Sequence, residues 1–151
     1  MHQSATNIGK LQPQLYQATI TMSDQAGTAA IDSGLAPGFV EVLRIRVSQL
    51  NGCGFCLRMH THDALDKGES PERIAVLPAW RETEYFDDVE RDALALAERV
   101  TRISSSPHDE QDDPVIALSP AQAAAVAWVA IVINAFNRIA ITSHYRIAPQ
   151  G

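Results

Sequence analysis

The sequence is poor in cysteine, with only Cys53 and Cys56 in 151 residues. Three positions apart, they cannot staple distant parts of a small secreted fold, so their value is expected to be chemical. Positive charge is also scarce. Twelve Lys and Arg face eighteen Asp and Glu, a formal charge of -6, which repels phosphate backbones and anionic head groups. Neither nucleic acid nor a membrane surface is an expected partner. The segment from Met1 through Lys10 to Gln14 lacks a basic cluster followed by an apolar core, so no secretory or transit signal is expected. A cytoplasmic location is the resulting expectation. Alternating β-branched runs bounded by hairpin turns are nearly missing, and there is no internal repeat. An all-α fold is therefore expected, and 46% apolar residues suffice for the core of one domain over 1–151.

Helix signals divide the chain. Pro13 opens a helix running toward Ser33 with Gly34 as its stop, although the core face of this 1–34 region is ill-defined. From Pro37, the residues Phe39, Val40, Leu43, Val47 and Leu50 form one buried stripe. Asn51-Gly52 interrupts it, and a third helix is expected from Cys53 to Lys67, ended by Gly68. Ser70-Pro71-Glu72 caps a short helix that Pro78 should end near Leu77. Asp87 and Asp88 start another, with Leu94, Ala97 and Val100 on one side and an end near Ile103. The polar stretch within 104–118 reads as a surface loop. Ser119-Pro120 then caps a last helix, apolar from Ala121 to Phe136 apart from Gln122 and Asn134. That run falls short of the roughly 20 residues a membrane span requires. Burial on two fronts, including against another subunit, explains it better. About six helices result, in a homo-oligomer.

The chemistry gathers between residues 41 and 60. Cys53 and Cys56 at i, i+3 can meet if the first helical turn is open, and His60 lies one turn beyond Cys56 on the same face. This pairs a nucleophile with a base. Unpaired N–H groups and the dipole at the helix start favour the thiolate. Folding back at Asn51-Gly52 would bring Glu41 to the thiols or to His60. The fitting reaction is attack of a thiolate on a peroxide, giving a sulfenic acid that the second cysteine converts to a disulfide, which an outside dithiol then reduces.

Bland readings compete. C-x-x-C serves zinc sites, redox sites and plain structure alike. Glu41 alone reads as a first-turn surface acid, and His60 alone as a core histidine. His62 completes a superficial zinc pattern, but it lies about 240° around the helix from Cys56. A zinc site completed by Glu41 stays open. His108 with Asp109, Glu110, Asp112 and Asp113 reads as a solvated charge run. Trp80, Tyr85, Phe86 and Trp128 are expected in packing, and Arg44 and Arg46 at solvent or carboxylates.

The spacing Glu-x11-Cys-x2-Cys-x3-His, set in Arg46-Val47-Ser48-Gln49-Leu50-Asn51-Gly52 and Met59-His60-Thr61, resembles the alkylhydroperoxidase D (AhpD) branch of the carboxymuconolactone decarboxylase superfamily. The likeness continues through Trp80-Arg81-Glu82, Phe86, Leu94-Ala95-Leu96-Ala97-Glu98 and Ile133-Asn134-Ala135-Phe136-Asn137-Arg138. The resemblance implies an all-helical oligomer, a trimer or hexamer, that reduces hydroperoxides without a cofactor or metal. It places the catalytic glutamate on Glu41, the redox cysteines on Cys53 and Cys56, and the proton-handling histidine on His60. Cys56 would attack the peroxide and Cys53 would resolve. Its partners would be a peroxide, an external dithiol or protein reductant, and a peroxiredoxin. Members that work with a peroxiredoxin carry a histidine before the second cysteine, where this chain has Phe55. Two alternatives remain: a carboxymuconolactone decarboxylase-like acid/base enzyme using Glu41 and His60, and a zinc-stabilised interaction domain held by Cys53, Cys56 and His60.

Overall fold

A computed structural model describes residues 6–105 and 116–151; most of the expected 104–118 loop, including the His108 cluster, lies outside them. Among the described residues there are seven α-helices, one 3-10 segment and no strand. The helices are α1 Ile8–Leu11, α2 Pro13–Asp32, α3 Pro37–Asn51, α4 Gly54–Asp66, α5 Pro71–Val76, α6 Asp88–Thr101 and α7 Pro120–Thr142. α5 ends at Val76, near Leu77 as expected, and the 3-10 segment Leu77–Glu82 follows it directly with Pro78 in its first turn. Its missing N–H is harmless in a first turn, and the tighter winding buries Leu77 and Trp80.

The caps follow the sequence. Ser70, Asp87 and Ser119 accept from the N–H three residues on, and the latter two form reciprocal capping boxes with Glu90 and Gln122. Each is worth about 1 kcal/mol. The short α1, capped by Asn7, was not foreseen; four residues carry no readable periodicity.

α3 is the central helix. A single stripe was expected, but Val42, Ile45, Glu41 and Ser48 are buried along with Phe39, Val40, Leu43 and Val47. α4, α6 and α7 pack around it most extensively, with α2 and the 3-10 segment completing its surroundings. Arg44 and Arg46 hide this in the sequence by breaking the apolar run, yet each finds a buried carboxylate, Glu41 and Glu98. Glu98 also accepts from Trp80 Nε1 at 2.9 Å and Arg81 at 2.8 Å, joining α6, the 3-10 segment and α3.

α7 runs to Thr142, six residues past the apolar stretch read from sequence, because Asn137 lies inside the bundle and does not mark the helix end. Asn137 is fully buried, donating to Ser48 Oγ and accepting from Asn51 Nδ2, which also donates to Asn134 Oδ1. By length and composition α7 is apolar enough to cross a membrane. It packs instead against α2, α3 and α6 as a core helix of the bundle. Of the aromatics expected in packing, Trp80 and Phe86 are buried, whereas Tyr85 and Trp128 are exposed. Trp128 sits on the outward face of α7, beside Met22 and Ala26 of α2.

Candidate functional site

The turn between α3 and α4 builds the site. Gly52 takes φ +71°, its N–H reaches Gln49 O, and Cys53 N–H reaches Ser48 O, which closes the end of α3. Cys53 then serves as the N-cap of α4, one residue outside the helix where it was expected. Its sulfur accepts from the Cys56 N–H at 3.3 Å. A thiol at an N-cap keeps an extended backbone, and this openness brings the Cα atoms of Cys53 and Cys56 to 5.4 Å, where the two sulfurs form a disulfide. Both cysteines are buried.

One turn on, His60 points its Nδ1 at Glu41 Oε2, 2.8 Å away. Folding back at Gly52 therefore brings Glu41 to His60, as one of the two expected arrangements. The other carboxylate oxygen, Oε1, accepts from Arg44 and from Lys67 Nζ, each at 2.7 Å. Burial alone would raise the Glu41 pKa, but the His60 hydrogen bond, the Arg44 charge and the Lys67 hydrogen bond outweigh it and lower the value to about 2. Glu41 is thus a fixed anion. Because a carboxylate only accepts, the facing Nδ1 carries a proton, and Nε2 is the ring atom left for other chemistry.

Arg44 reaches Glu41 across Gly27 of α2, where a Cβ would stand 3.0 Å from its Nη2, and it also donates to Ser23 O at 3.1 Å. Sequence reasoning did not assign Arg44 or Lys67 to the site. The i, i+3 spacing of Glu41 and Arg44 was the available signal; Lys67, at the far end of α4, gave none.

Cys56 and His60 share a cleft of roughly 320 Å³ with Tyr16, Phe55, Phe136 and Tyr145. Its walls come from α2, α4, α7 and the chain after α7, so residues far apart in sequence meet there. Apart from Ser23, Asp24 and His60 its lining is largely apolar. His62 is exposed, away from the cysteines, as helical geometry requires. Ligand atoms of Glu41, His60 and Asp63 lie within 4.8 Å of one another. However, Arg44 and Lys67 already place two positive charges on that carboxylate, and the cysteine sulfurs are bonded to each other. The zinc-held alternative gains no support from this geometry.

Comparison with known proteins sets the site in context. The profile of the Carboxymuconolactone decarboxylase family matches residues 13–99, which contain Glu41, Cys53, Cys56 and His60. The uncharacterized protein YdfG of Bacillus subtilis strain 168 is 39% identical over 112 residues, 73% of this chain and 76% of its own length. Among solved structures, a protein of unknown function from Agrobacterium tumefaciens, described as a candidate antioxidant defence protein AhpD, superposes with a TM-score of 0.82 at 25% identity. That similarity covers 98% of this chain and all of the other.

Proposed function

The chain belongs to the carboxymuconolactone decarboxylase family, in its AhpD-like branch, and from that premise we propose that it is a thiol-dependent hydroperoxide reductase of antioxidant defence. The observation that carries this reading is that His60, held at 2.8 Å by the buried, ionised Glu41, lines the same cleft as Cys56 of a closely spaced cysteine pair. In the reduced protein Cys56 thiolate attacks a peroxide oxygen, the O–O bond breaks, and the leaving alkoxide takes a proton and departs as an alcohol. His60 first takes the Cys56 thiol proton on Nε2 and then delivers it to that alkoxide, while Glu41 fixes its tautomer and stabilises the imidazolium formed in between. The Cys53 thiol then displaces water from the sulfenic acid and forms the disulfide. An external dithiol or a protein reductant restores the thiols, in the cytoplasm.

The reading of Glu41 and His60 as a decarboxylase-like acid/base pair is weaker. A carboxylate that already accepts three hydrogen bonds and is held near pKa 2 is a poor proton shuttle at neutral pH. The deciding experiment is turnover of hydrogen peroxide and organic hydroperoxides with dithiothreitol as reductant. Consumption that vanishes in a Cys53→Ser/Cys56→Ser double variant is expected. Equal consumption by that variant would refute the function.

A further inference from the structure

The two cysteines of the disulfide line different openings. Cys56 lines the cleft with His60, whereas Cys53 lines a second, shallower cleft of roughly 190 Å³ with Gly52, Gly54, Ala140, His144 and Arg146. Phe55 and Tyr145 line both, and their rings meet edge to face with centroids 5.1 Å apart. They form the wall between the openings.

The second cleft owes its roof to the chain that follows α7. His144 adopts φ +54°, a left-handed conformation that costs a non-glycine residue about 1 kcal/mol. Its N–H reaches Ile141 O and the Tyr145 N–H reaches Ala140 O, which ends α7 and turns the chain back toward the start of α4. Beyond the turn, Ile147 packs against Gly54, and Arg58 donates to Ala148 O at 3.0 Å. Gly52 and Gly54 are exposed and carry no side chain, yet Cys53 between them is only 1% exposed. The returning tail helps to bury it.

We infer that the electron-donating thiol enters through this second cleft and attacks Cys53, and that the tail over residues 144–148 gates its approach. The inference rests on the thiol-redox reading above. A thiolate approaches a disulfide in line with the bond it breaks, so each sulfur is attacked from its own side. Attack on Cys53 forms a mixed disulfide between Cys53 and the donor and expels Cys56 as a thiolate, beside His60 in the peroxide cleft. The second thiol of the donor then displaces Cys53, and the donor leaves as a disulfide, having delivered two electrons. Attack on Cys56 would instead lodge the donor in the peroxide cleft. The small volume suits a thiol on a slender arm, and Arg146 on its rim attracts the thiolate form.

The test maps the mixed disulfide and times each half-reaction. Oxidised full-length protein is mixed briefly with the monothiol 2-mercaptoethanol, quenched with iodoacetamide and fragmented in a mass spectrometer. The expected product carries mercaptoethanol on Cys53 and the alkyl group on Cys56. The opposite pattern overturns the entry side. Arg58→Ala/Ile147→Ala, which frees the tail, should accelerate reduction by dithiothreitol at least about fivefold, with oxidation by peroxide changed less than about twofold. Equal acceleration of both steps, or of neither, overturns the gate. Should that variant fold poorly, Arg146→Glu serves instead, with slower reduction and unchanged oxidation expected; an unchanged reduction rate contradicts the thiolate-attracting rim. If peroxide never oxidises the wild-type protein, the peroxidase reading fails, while the adduct map on protein oxidised with diamide still decides the entry side.

Discussion

At the residue scale, the division of labour between the sulfurs turns on two opposed effects. Cys53 accepts the N–H of Cys56 and so has the helix start to stabilise its thiolate, while Cys56 shares its cleft with His60. A dipole effect of about 0.3–1 kcal/mol is smaller than the 10²–10⁴-fold that general acid–base catalysis provides, so Cys56 is expected to attack. Cys53→Ser should accumulate a sulfenic acid on Cys56, and Cys56→Ser should give none. A dimedone adduct on Cys53 in the second variant would reverse the roles. Glu41 supplies a separate test of the electrostatics. Its pKa falls from an ordinary 4.5 to about 2 in the folded protein, so its ionisation stabilises the fold above about pH 4.5. That contribution is lost as pH falls from 4.5 toward 2. After an allowance for solvent screening it is on the order of 2 kcal/mol at neutral pH. Glu41→Gln should therefore be less stable than wild type in urea at pH 7 by about that amount. The gap should narrow at pH 3; a gap that is constant with pH would show that the lost contacts are not electrostatic.

At the scale of elements, the α3–α4 turn decides whether the site exists. Gly52 has no atom within 4 Å of where a Cβ would stand, so an alanine there meets no clash, only the strain of φ +71°. Gly52→Ala should cost about 1 kcal/mol, read as a lower urea midpoint at unchanged slope. A neutral result would mean that the turn relaxes without loss. The same turn shows how far local signals carry. Asn51-Gly52 announces a break, and Gly34 and Gly68 also mark their helix ends with a positive φ. His144 makes an equivalent turn with no glycine to announce it, so the returning tail could not be read from sequence.

At the scale of the whole molecule, apolar surface remains outside the bundle. Trp128 is 52% exposed, with Ile131 one turn on along α7 and Met22 beside it on α2 also exposed. A homo-oligomer in which a second copy covers this face is expected. Light scattering at micromolar concentration should give a multiple of 16.4 kDa, and Trp128→Glu should reduce it. A wild-type mass of one chain would remove the oligomer from the account.

The sequence by itself determined the helical fold, most helix boundaries and the spacing of Cys53, Cys56 and His60, because capping residues, glycine stops and i, i+3 or i, i+4 neighbours are local in the chain, whereas Glu41 was singled out only by the family resemblance. It could also bring Glu41 within reach of His60, since one visible break separates their helices. Only the tertiary structure decided that α3 is buried on most sides, since Arg44 and Arg46 look like solvent residues until Glu41 and Glu98 are seen to receive them. It alone placed Lys67 on Glu41 and ran Asn137 through the core. It likewise set Tyr145 against Phe55, giving each cysteine its own opening. The physical reason is common to all of these. A charged or polar side chain is tolerated inside only where a partner from a distant segment satisfies it, and no local pattern in a sequence records which segment that will be.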